Sequence, residues 1–411
     1  MTGKIKGFDG IRGLAVMSVV LTHLNVWEYL QNHGLHSSVI PMLHGSTGVQ
    51  WFFVLSGFLI TSLLISEYRA TGTISLKNFF MRRTLRIFPL YIVFLFIATV
   101  LSVVDRNVTT RESLTYAYLY IYNFVPAELY TSFIGHTWSL AVEEHFYLIW
   151  PPLFLLMFAR HRSRLFLLLC LSIPASVLLY YALIHSHFNQ NYFIGRWSMV
   201  AGYNIAAGCL ASLLVHSRKL ASWARPLFKI DVALLVGVAL YANAFYLSTG
   251  SWFIDELGGQ YVRAAGIVLI VLWIFLNQES LLVKVLEITP LAYLGLISYG
   301  VYVFQGLFLA TGPQREAEAT WPLDPAIGFV LLIIAAPLSY HFFEQPFLKL
   351  KHRFARKAVT HDRSGTQSWT HQTRHDEDTL ARQLQTLAHN VYRWEAAIHR
   401  PHVRFPWRSP L

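Results

Sequence analysis

The feature that most constrains this chain is a series of ten apolar stretches, each long enough to cross a hydrocarbon core of about 30 Å as a helix. Hydrophobic residues make up 55% of the 411 residues and charged residues only 13%, whereas soluble proteins carry about 25% charged residues. The sequence therefore predicts an all-α, polytopic membrane helix bundle. The ten predicted spans are 11–31, 48–66, 87–104, 137–158, 165–184, 197–215, 231–248, 261–276, 289–310 and 325–343.

Basic residues in the loops predict the orientation of the bundle. If the N-terminus is cytoplasmic, the basic clusters within 77–83, 160–164 and 218–229 all fall on the cytoplasmic side, as the positive-inside rule requires. We therefore expect both termini in the cytoplasm. Because the net charge of +11 arises largely from such loops, it does not indicate nucleic-acid binding.

A change of composition divides the chain into a transmembrane domain, 1–347, and a polar, His-rich tail, 348–411. Apolar residues recur at helical spacing within 380–394, which predicts one short amphipathic helix in a cytoplasmic tail. The tail histidines lack regular ligand spacing, so the sequence predicts no metal site.

The first span, within "FDGIRGLAVMSVVLTHLNVW", carries two ionisable residues, Arg12 and His23. They are eleven residues apart, about 16 Å along a helix and on nearly the same face. Arg12 is expected at the cytoplasmic boundary and His23 near the middle of the bilayer. A histidine at that depth should face the bundle interior, where it could transfer protons or merely hydrogen-bond a neighbouring helix.

Three arginines, Arg82, Arg83 and Arg86, stand where a cytoplasmic loop enters the third span, in "FFMRRTLRIFPLYI". Arg83 and Arg86 share one face of a helix because they are three residues apart. The arginines could serve only to orient the span. Guanidinium groups also bind phosphates well, so the cluster could hold a phosphorylated donor such as coenzyme A.

Two further stretches contain polar or small residues within apolar segments. In "GHTWSLAVEEHFYLIWP", Glu143 and Glu144 lie in the fourth span, where a carboxylate needs a partner or a proton. Adjacent residues point in different directions on a helix, so at most one of them should face a working cavity. In "GVQWFFVLSGFLIT", Ser56 and Gly57 predict close helix packing or, alternatively, backbone access for a ligand.

Together these stretches resemble the acyltransferase 3 family of bacterial membrane O-acyltransferases. The similarity is carried by Arg12 with His23, "FFVLSGFLI", "RRTLRIFPLY", "TWSLAVEEHFYLIWP", and the later "ISYGVYVFQ" and "FFEQP". It extends over residues 7 to 347. The late motif often ends in histidine, whereas this chain has Gln305 at that place, so the resemblance assigns no second histidine there.

The resemblance implies a ten-helix core that transfers an acyl group, usually acetyl, from cytosolic acyl-coenzyme A to a hydroxyl. It implies His23 as the catalytic histidine, Arg12 as its basic partner and Glu143 as the motif's acid. It also implies that Arg83 and Arg86, together with the neighbouring Arg82, bind the donor. Substrate contacts are expected within the matched motifs. The expected substrate-binding residues are Ser56, Gly57, Trp138, Ser139 and Tyr147.

The mechanism we expect begins with His23 taking the proton of the acceptor hydroxyl while Glu143 orients the imidazole or stabilises its charged form. An acyl-histidine intermediate is the alternative route. The acceptor is expected to be a cell-surface or lipid-linked glycan at the bacterial inner membrane, or else a small hydroxylated metabolite. A proton-coupled transporter and a membrane scaffold acting through the tail are the other classes that the sequence permits.

Overall fold

The computed structural model describes residues 5–34, 43–104, 109–186, 188–217, 231–243, 259–309 and 325–354. The chain divides into two units, Gly7–Lys357 and Met1–Lys6 with Ala358–Leu411. The described helices belong to the first unit. The predicted amphipathic helix of the tail lies outside the described residues.

Helices account for the secondary structure of the described residues, which confirms the predicted all-α class. The first eleven helices are α1 (Phe8–His23), α2 (Val26–Asn32), α3 (Gly45–Thr71), α4 (Leu76–Val104), α5 (Arg111–Tyr118), α6 (Ser132–Gly135), α7 (Thr137–Phe158), α8 (Arg162–Ile184), α9 (Phe188–Asn191), α10 (Ser198–Ala201) and α11 (Tyr203–Val215). The later helices are Val232–Asn243, Gly259–Leu276, Leu281–Leu286, Thr289–Leu296, Ser298–Phe308, Pro325–Leu338 and Gln345–Leu350, with a π-helical turn, Ser339–Glu344, before the last.

Six helices of the described part are long and apolar enough to cross a membrane, or seven if the pair Thr289–Leu296 and Ser298–Phe308, bent by 70°, counts as one span. The chain is thus a multi-pass membrane protein. The six are α3, α4, α8, α10 with α11, Gly259–Leu276 and Ala326–Leu350. A total of ten spans and the cytoplasmic termini remain predictions.

The outer surface of the bundle is apolar, as lipid contact requires. On α8, Leu171 and Leu178 are 57% and 68% exposed, and on α4 Phe96 is 63% exposed. Such large apolar side chains would be unfavourable in water but not in hydrocarbon. The long helices therefore expose these residues where lipid would contact them, while Thr61 and Ser62 of α3 are buried.

The predicted first span, 11–31, is not one continuous helix. Helix α1 ends at His23, and α2 begins at Val26 after Asn25, whose φ is 54°. Asparagine enters this left-handed conformation more readily than most residues, and the conformation terminates an α-helix. The prediction of one continuous helix over 11–31 was therefore wrong, because α1 ends at His23.

Glycines bring the central helices into backbone contact. A Cβ atom added to Gly57 of α3 would lie 2.0 Å from the Ile205 carbonyl oxygen of α11. On the facing helix, a Cβ added to Gly208 would lie 2.1 Å from the Val54 carbonyl oxygen. Helix α1 packs similarly closely on Thr289–Leu296. These contacts, with those between α1 and α3, pack α1, α3 and α11 closely together.

Candidate active site

Helices α4 and α7 run antiparallel and define two levels within the bundle. At one level the Arg83 guanidinium carbon lies 5.2 Å from the centroid of the Tyr147 ring. At the other level the rings of Phe94 and His136 lie 5.2 Å apart. The two contacts are eleven residues apart along α4 and also along α7 counted from His136, the residue just before it, or about 16 Å along the axis.

The polar residues group at these two levels. We call Arg12, Ser56, Arg83, Glu143 and Tyr147 the arginine layer, because Arg12 and Arg83 both interact electrostatically with Glu143. We call His23, His44 and His136 the histidine layer, because His23 interacts electrostatically with both other imidazoles. Helix α1 joins the two layers, with Arg12 in one and His23 in the other.

Glu143 is held at the centre of the arginine layer by two hydroxyl groups. Ser56 Oγ donates to Glu143 Oε1 at 2.8 Å, and Tyr147 OH donates to Oε2 at 3.1 Å. The two hydroxyl oxygens lie 3.1 Å apart. Both carboxylate oxygens therefore have a partner, and the carboxylate compensates the nearby guanidinium charges inside the bundle.

Arg83 is the arginine best placed to bind an anion. Its guanidinium lies over the rings of Phe79 and Tyr147, at 5.8 and 5.2 Å from the centroids. Cation–π contacts of this kind hold a guanidinium in place, and its five N–H groups are hydrogen-bond donors. This is the geometry that a phosphate could use.

Arg12 and Arg86 complete the charge pattern around this layer. Arg12 Nη1 lies 3.1 Å from Asp9 Oδ1, one turn earlier on α1. Arg86 interacts electrostatically with Arg12 and with the buried Glu344. Our sequence reasoning gave no role to Asp9 or Glu344, although Glu344 stands in the quoted "FFEQP". Glu344 Oε1 accepts from Ser339 Oγ at 3.3 Å.

Arg82 differs from its neighbours because its guanidinium already has protein partners. Nη2 lies 3.1 Å from Glu67 Oε2, and Nη1 donates to the Phe354 carbonyl at 2.8 Å. Glu67 Oε1 in turn accepts from the Ser75 backbone N–H at 2.9 Å. These contacts tie α3, α4 and the segment after Leu350 together, and they favour a structural role for Arg82.

The end of α1 positions His23. Thr22 Oγ1 accepts from the Gly45 backbone N–H at 2.8 Å and from Trp27 Nε1 at 2.9 Å, which fixes α1 against the start of α3. His23 is then held at a helix C-terminus, where unpaired carbonyl groups favour a positively charged side chain. An imidazole that must accept a proton benefits from this position.

His44 precedes α3 and caps it. His44 Nδ1 accepts from the Ser46 backbone N–H at 3.3 Å and lies 3.0 Å from Ser46 Oγ. An accepting Nδ1 requires a neutral ring. Burial lowers the pKa of His44 and so favours the neutral form that this cap needs.

His136 is the residue of the histidine layer that sequence reasoning missed. It is 7% exposed, and neither ring nitrogen has a well-formed hydrogen bond among the described residues, although the Val303 backbone is close enough to interact. A Cβ added to Gly306 would lie 2.2 Å from His136 Cε1. His136 stands in "GHTWSLAVEEH", but its spacing from Glu143 and Glu144 did not indicate that it would lie near His23.

The predicted substrate-binding residues fall into different surroundings. Ser139 Oγ lies 2.5 Å from Tyr302 OH, which also donates to the His136 carbonyl at 3.2 Å. Trp138 packs edge-to-face on Phe53 at 5.9 Å. Ser56 and Tyr147 belong to the arginine layer. Gly57 faces α11, which favours the packing interpretation over substrate contact.

Gln305 is fully buried, at the place where the late motif often carries histidine. Both atoms of its side-chain amide lack a hydrogen-bond partner within the described part of the chain. In the same helix Tyr299 OH donates to the Ile87 carbonyl at 2.6 Å, which ties Ser298–Phe308 to α4. The motif's tyrosines therefore have structural partners here.

Comparison with known proteins places the chain in a family. A family model for acyltransferase 3, described as an acyltransferase domain, matches residues 5–341. The O-acetyltransferase OatA of Staphylococcus aureus (strain NCTC 8325 / PS 47) is 25% identical over 366 residues, which are 84% of this chain and 57% of the relative. A proposed O-acetyltransferase of S. aureus strain COL is 28% identical over 364 residues, with the same coverage.

The chain thus spans little more than half the length of these curated relatives, 57% in both cases. No solved structure matches it. The family model nevertheless covers all of α1 to α11 and most of the later helices, including every residue of both layers. The chain therefore belongs to the acyltransferase 3 family.

Proposed function

We propose that this protein is a membrane O-acyltransferase that moves an acetyl or other short acyl group from cytosolic acyl-coenzyme A to a hydroxyl of a cell-surface or lipid-linked glycan. The observation that carries the proposal is the separation of the arginine and histidine layers along α1, α4 and α7. A donor with phosphates at one end and a thioester at the other suits two such layers. Membership of the family supports the same reaction, and the bacterial inner membrane is the location that it implies.

In this proposal the arginine layer holds the phosphates of the donor. Arg83, held against the Tyr147 ring, offers guanidinium N–H donors, and Arg86 adds a second charge about one turn further along α4. Glu143, through Ser56 and Tyr147, fixes the surroundings of Arg83. The pantetheine arm, which is long and thin, then extends toward the histidine layer.

His23 carries the chemistry in the histidine layer. Its neutral ring removes the proton of the acceptor hydroxyl as the oxygen attacks the thioester carbonyl. The carbon–sulfur bond then breaks, and the imidazolium returns the proton to the departing thiolate. The helix C-terminus at His23 stabilises the charged ring between these steps. Transfer through an acyl-histidine is the alternative, and rapid-quench trapping of acetyl on His23 would establish it.

The geometry changes the role that we propose for Glu143. The initial hypothesis had this carboxylate orient the imidazole of His23. Glu143 instead binds Ser56 and Tyr147, at the level of Arg12. We therefore propose that Glu143 organises the donor end, and that His44 and His136 form the surroundings of His23.

The function is tested by mixing the purified protein in detergent with acetyl-coenzyme A and extracted surface glycans. We expect release of coenzyme A together with O-acetylated glycan, detected by mass spectrometry. Binding of glycan without consumption of the thioester would contradict the proposal and favour a transporter. Acetylation of small hydroxylated metabolites but not of glycans would show that the acceptor is a small metabolite.

Replacing Arg83 or Arg86 with alanine should raise the KM for acetyl-coenzyme A about tenfold or more and change kcat little. A charge-assisted hydrogen bond contributes about 1.5–3 kcal/mol, and about 1.4 kcal/mol corresponds to a factor of ten. Steady-state kinetics with varied donor measures the effect. Arg82→Ala is the matched control, since its loss of Glu67 and Phe354 should lower the melting temperature and leave the donor KM unchanged. A raised donor KM in Arg82→Ala, with an unchanged donor KM in Arg83→Ala and Arg86→Ala, would instead assign donor binding to Arg82.

A further inference from the structure

A cavity of about 420 Å³ lies between the end of α8, α9 and the turn that precedes α10. Its volume is within the range of about 300–1,000 Å³ that is common for small-molecule sites. None of the residues proposed above for the donor lines it. Its lining includes Tyr180, Asn189, Gln190, Tyr192, Phe193 and Arg196.

The lining combines one stacked cation with aromatic rings and side-chain amides. The Arg196 guanidinium carbon lies 4.3 Å from the centroid of the Phe193 ring and 4.6 Å from that of Tyr130. Its Nη1 is buried without a hydrogen-bond partner in the described part of the chain. Cation–π contacts with these two rings therefore hold this guanidinium in place.

The amides of Asn189 and Gln190 both stand on exposed positions of α9. An amide supplies both a donor and an acceptor, which is what a ring bearing several hydroxyl groups requires. Aromatic faces pack against the C–H groups of such a ring. Sites of this kind combine apolar walls with a few polar groups that set orientation.

Trp138 connects this cavity with the proposed reaction centre. The Arg196 guanidinium carbon lies 5.9 Å from the Trp138 ring centroid. Trp138 adjoins Ser139, whose hydroxyl contacts Tyr302, and the ring of Tyr302 lies 5.6 Å from that of His136. Trp138 thus links the cavity to the residues around His136, and it lies nine residues, or about 14 Å along α7, from Tyr147 of the arginine layer.

We propose that this cavity binds a saccharide unit of the acceptor, with Arg196 and the α9 amides as its polar contacts. The inference rests on the proposed function, because it places the acceptor on the side of His23 opposite the donor. The orientation that the loop charges predict would open this side away from the cytoplasm. Arg196 also makes an acidic saccharide a better ligand than a neutral one.

The test measures saccharide binding in the absence of any acyl donor. Glucose, N-acetylglucosamine and glucuronic acid are titrated into the full-length protein in detergent, and saturation-transfer NMR reports binding. We expect glucuronic acid to bind most tightly. The double variant N189A/Q190A should weaken binding about three- to tenfold, as the loss of one or two hydrogen bonds predicts. Arg196→Met should remove the preference for the acid.

Asn191→Ala is the matched control, because Asn191 is exposed on the same short helix and does not line the cavity. This variant should bind all three saccharides as the parent protein does. The inference would be overturned if none of the saccharides bound. It would also be overturned if N189A/Q190A bound them with the same affinity as the parent protein. Saccharide binding that depends on these residues without acyl transfer to any glycan would instead leave the site established and reject the proposed reaction.

Discussion

The variant His23→Ala should lose acyl transfer by about 10²–10⁴-fold in kcat, the usual contribution of a positioned general base. The side chain stands at the last residue of α1, within electrostatic range of His44 and His136. Alanine keeps the helix and removes only the imidazole, so the protein should still bind the donor. Coenzyme A release and O-acetylated product, measured at saturating acetyl-coenzyme A, give the kcat.

His33→Ala provides the matched control for this experiment. His33 lies just beyond α2, is exposed, and stacks on Tyr29 at 4.1 Å, so its removal should leave turnover unchanged. An unchanged donor KM in His23→Ala would separate the loss of chemistry from the loss of binding. Full turnover by His23→Ala would reject the proposed base and leave His136, the buried histidine of the same layer, as the candidate.

The long helices were predictable from the sequence because lipid imposes length and hydropathy directly. The predicted spans 48–66 and 165–184 correspond to α3 and α8, extended by a few residues at one or both ends. The predicted 289–310 corresponds to two helices with a 70° bend, and 231–248 corresponds to Val232–Asn243 with its last residues outside the described part. Hydropathy cannot show a bend, since both halves remain apolar.

The site was predictable only as a set of residues and not as an arrangement. Arg12 and His23 share a helix, so their separation of about 16 Å followed from the sequence. The level of Glu143 did not follow, because it depends on how α7 packs against α3 and α4. Ser56 and Tyr147 place the carboxylate with the arginines, and no feature of local sequence encodes that contact.

The different roles of the neighbouring arginines also depend on tertiary partners. Arg82 and Arg83 are adjacent and chemically identical, yet one binds Glu67 and the Phe354 carbonyl while the other stacks on Tyr147. Adjacent residues on a helix point about 100° apart, so they meet different helices. Sequence reasoning could identify a basic cluster but could not divide it.

Gly57→Ala should prevent the bundle from packing correctly, and this is the largest effect on stability that we expect. In an isolated helix the change would be favourable by about 1 kcal/mol, because alanine is the better helix former. Here the new Cβ would lie 2.0 Å from the Ile205 carbonyl oxygen, so α3 and α11 must separate. Overpacking costs about 1–3 kcal/mol or more, and a rigid backbone atom cannot rotate away, so we expect the packing term to dominate.

The measurement is the melting temperature in detergent, followed by fluorescence-detected size exclusion, for Gly57→Ala, Gly208→Ala and the double variant. Both single changes separate the same two helices, since a Cβ on Gly208 would lie 2.1 Å from the Val54 carbonyl oxygen. The second substitution should therefore cost less than the first, which is the coupling expected for residues in one interface. Gly195→Ala is the control, because its nearest neighbour would be the Tyr180 hydroxyl at 3.7 Å. A Gly57→Ala protein that melts normally but loses substrate affinity would restore the substrate-contact interpretation of this glycine, because only a ligand would then need the space.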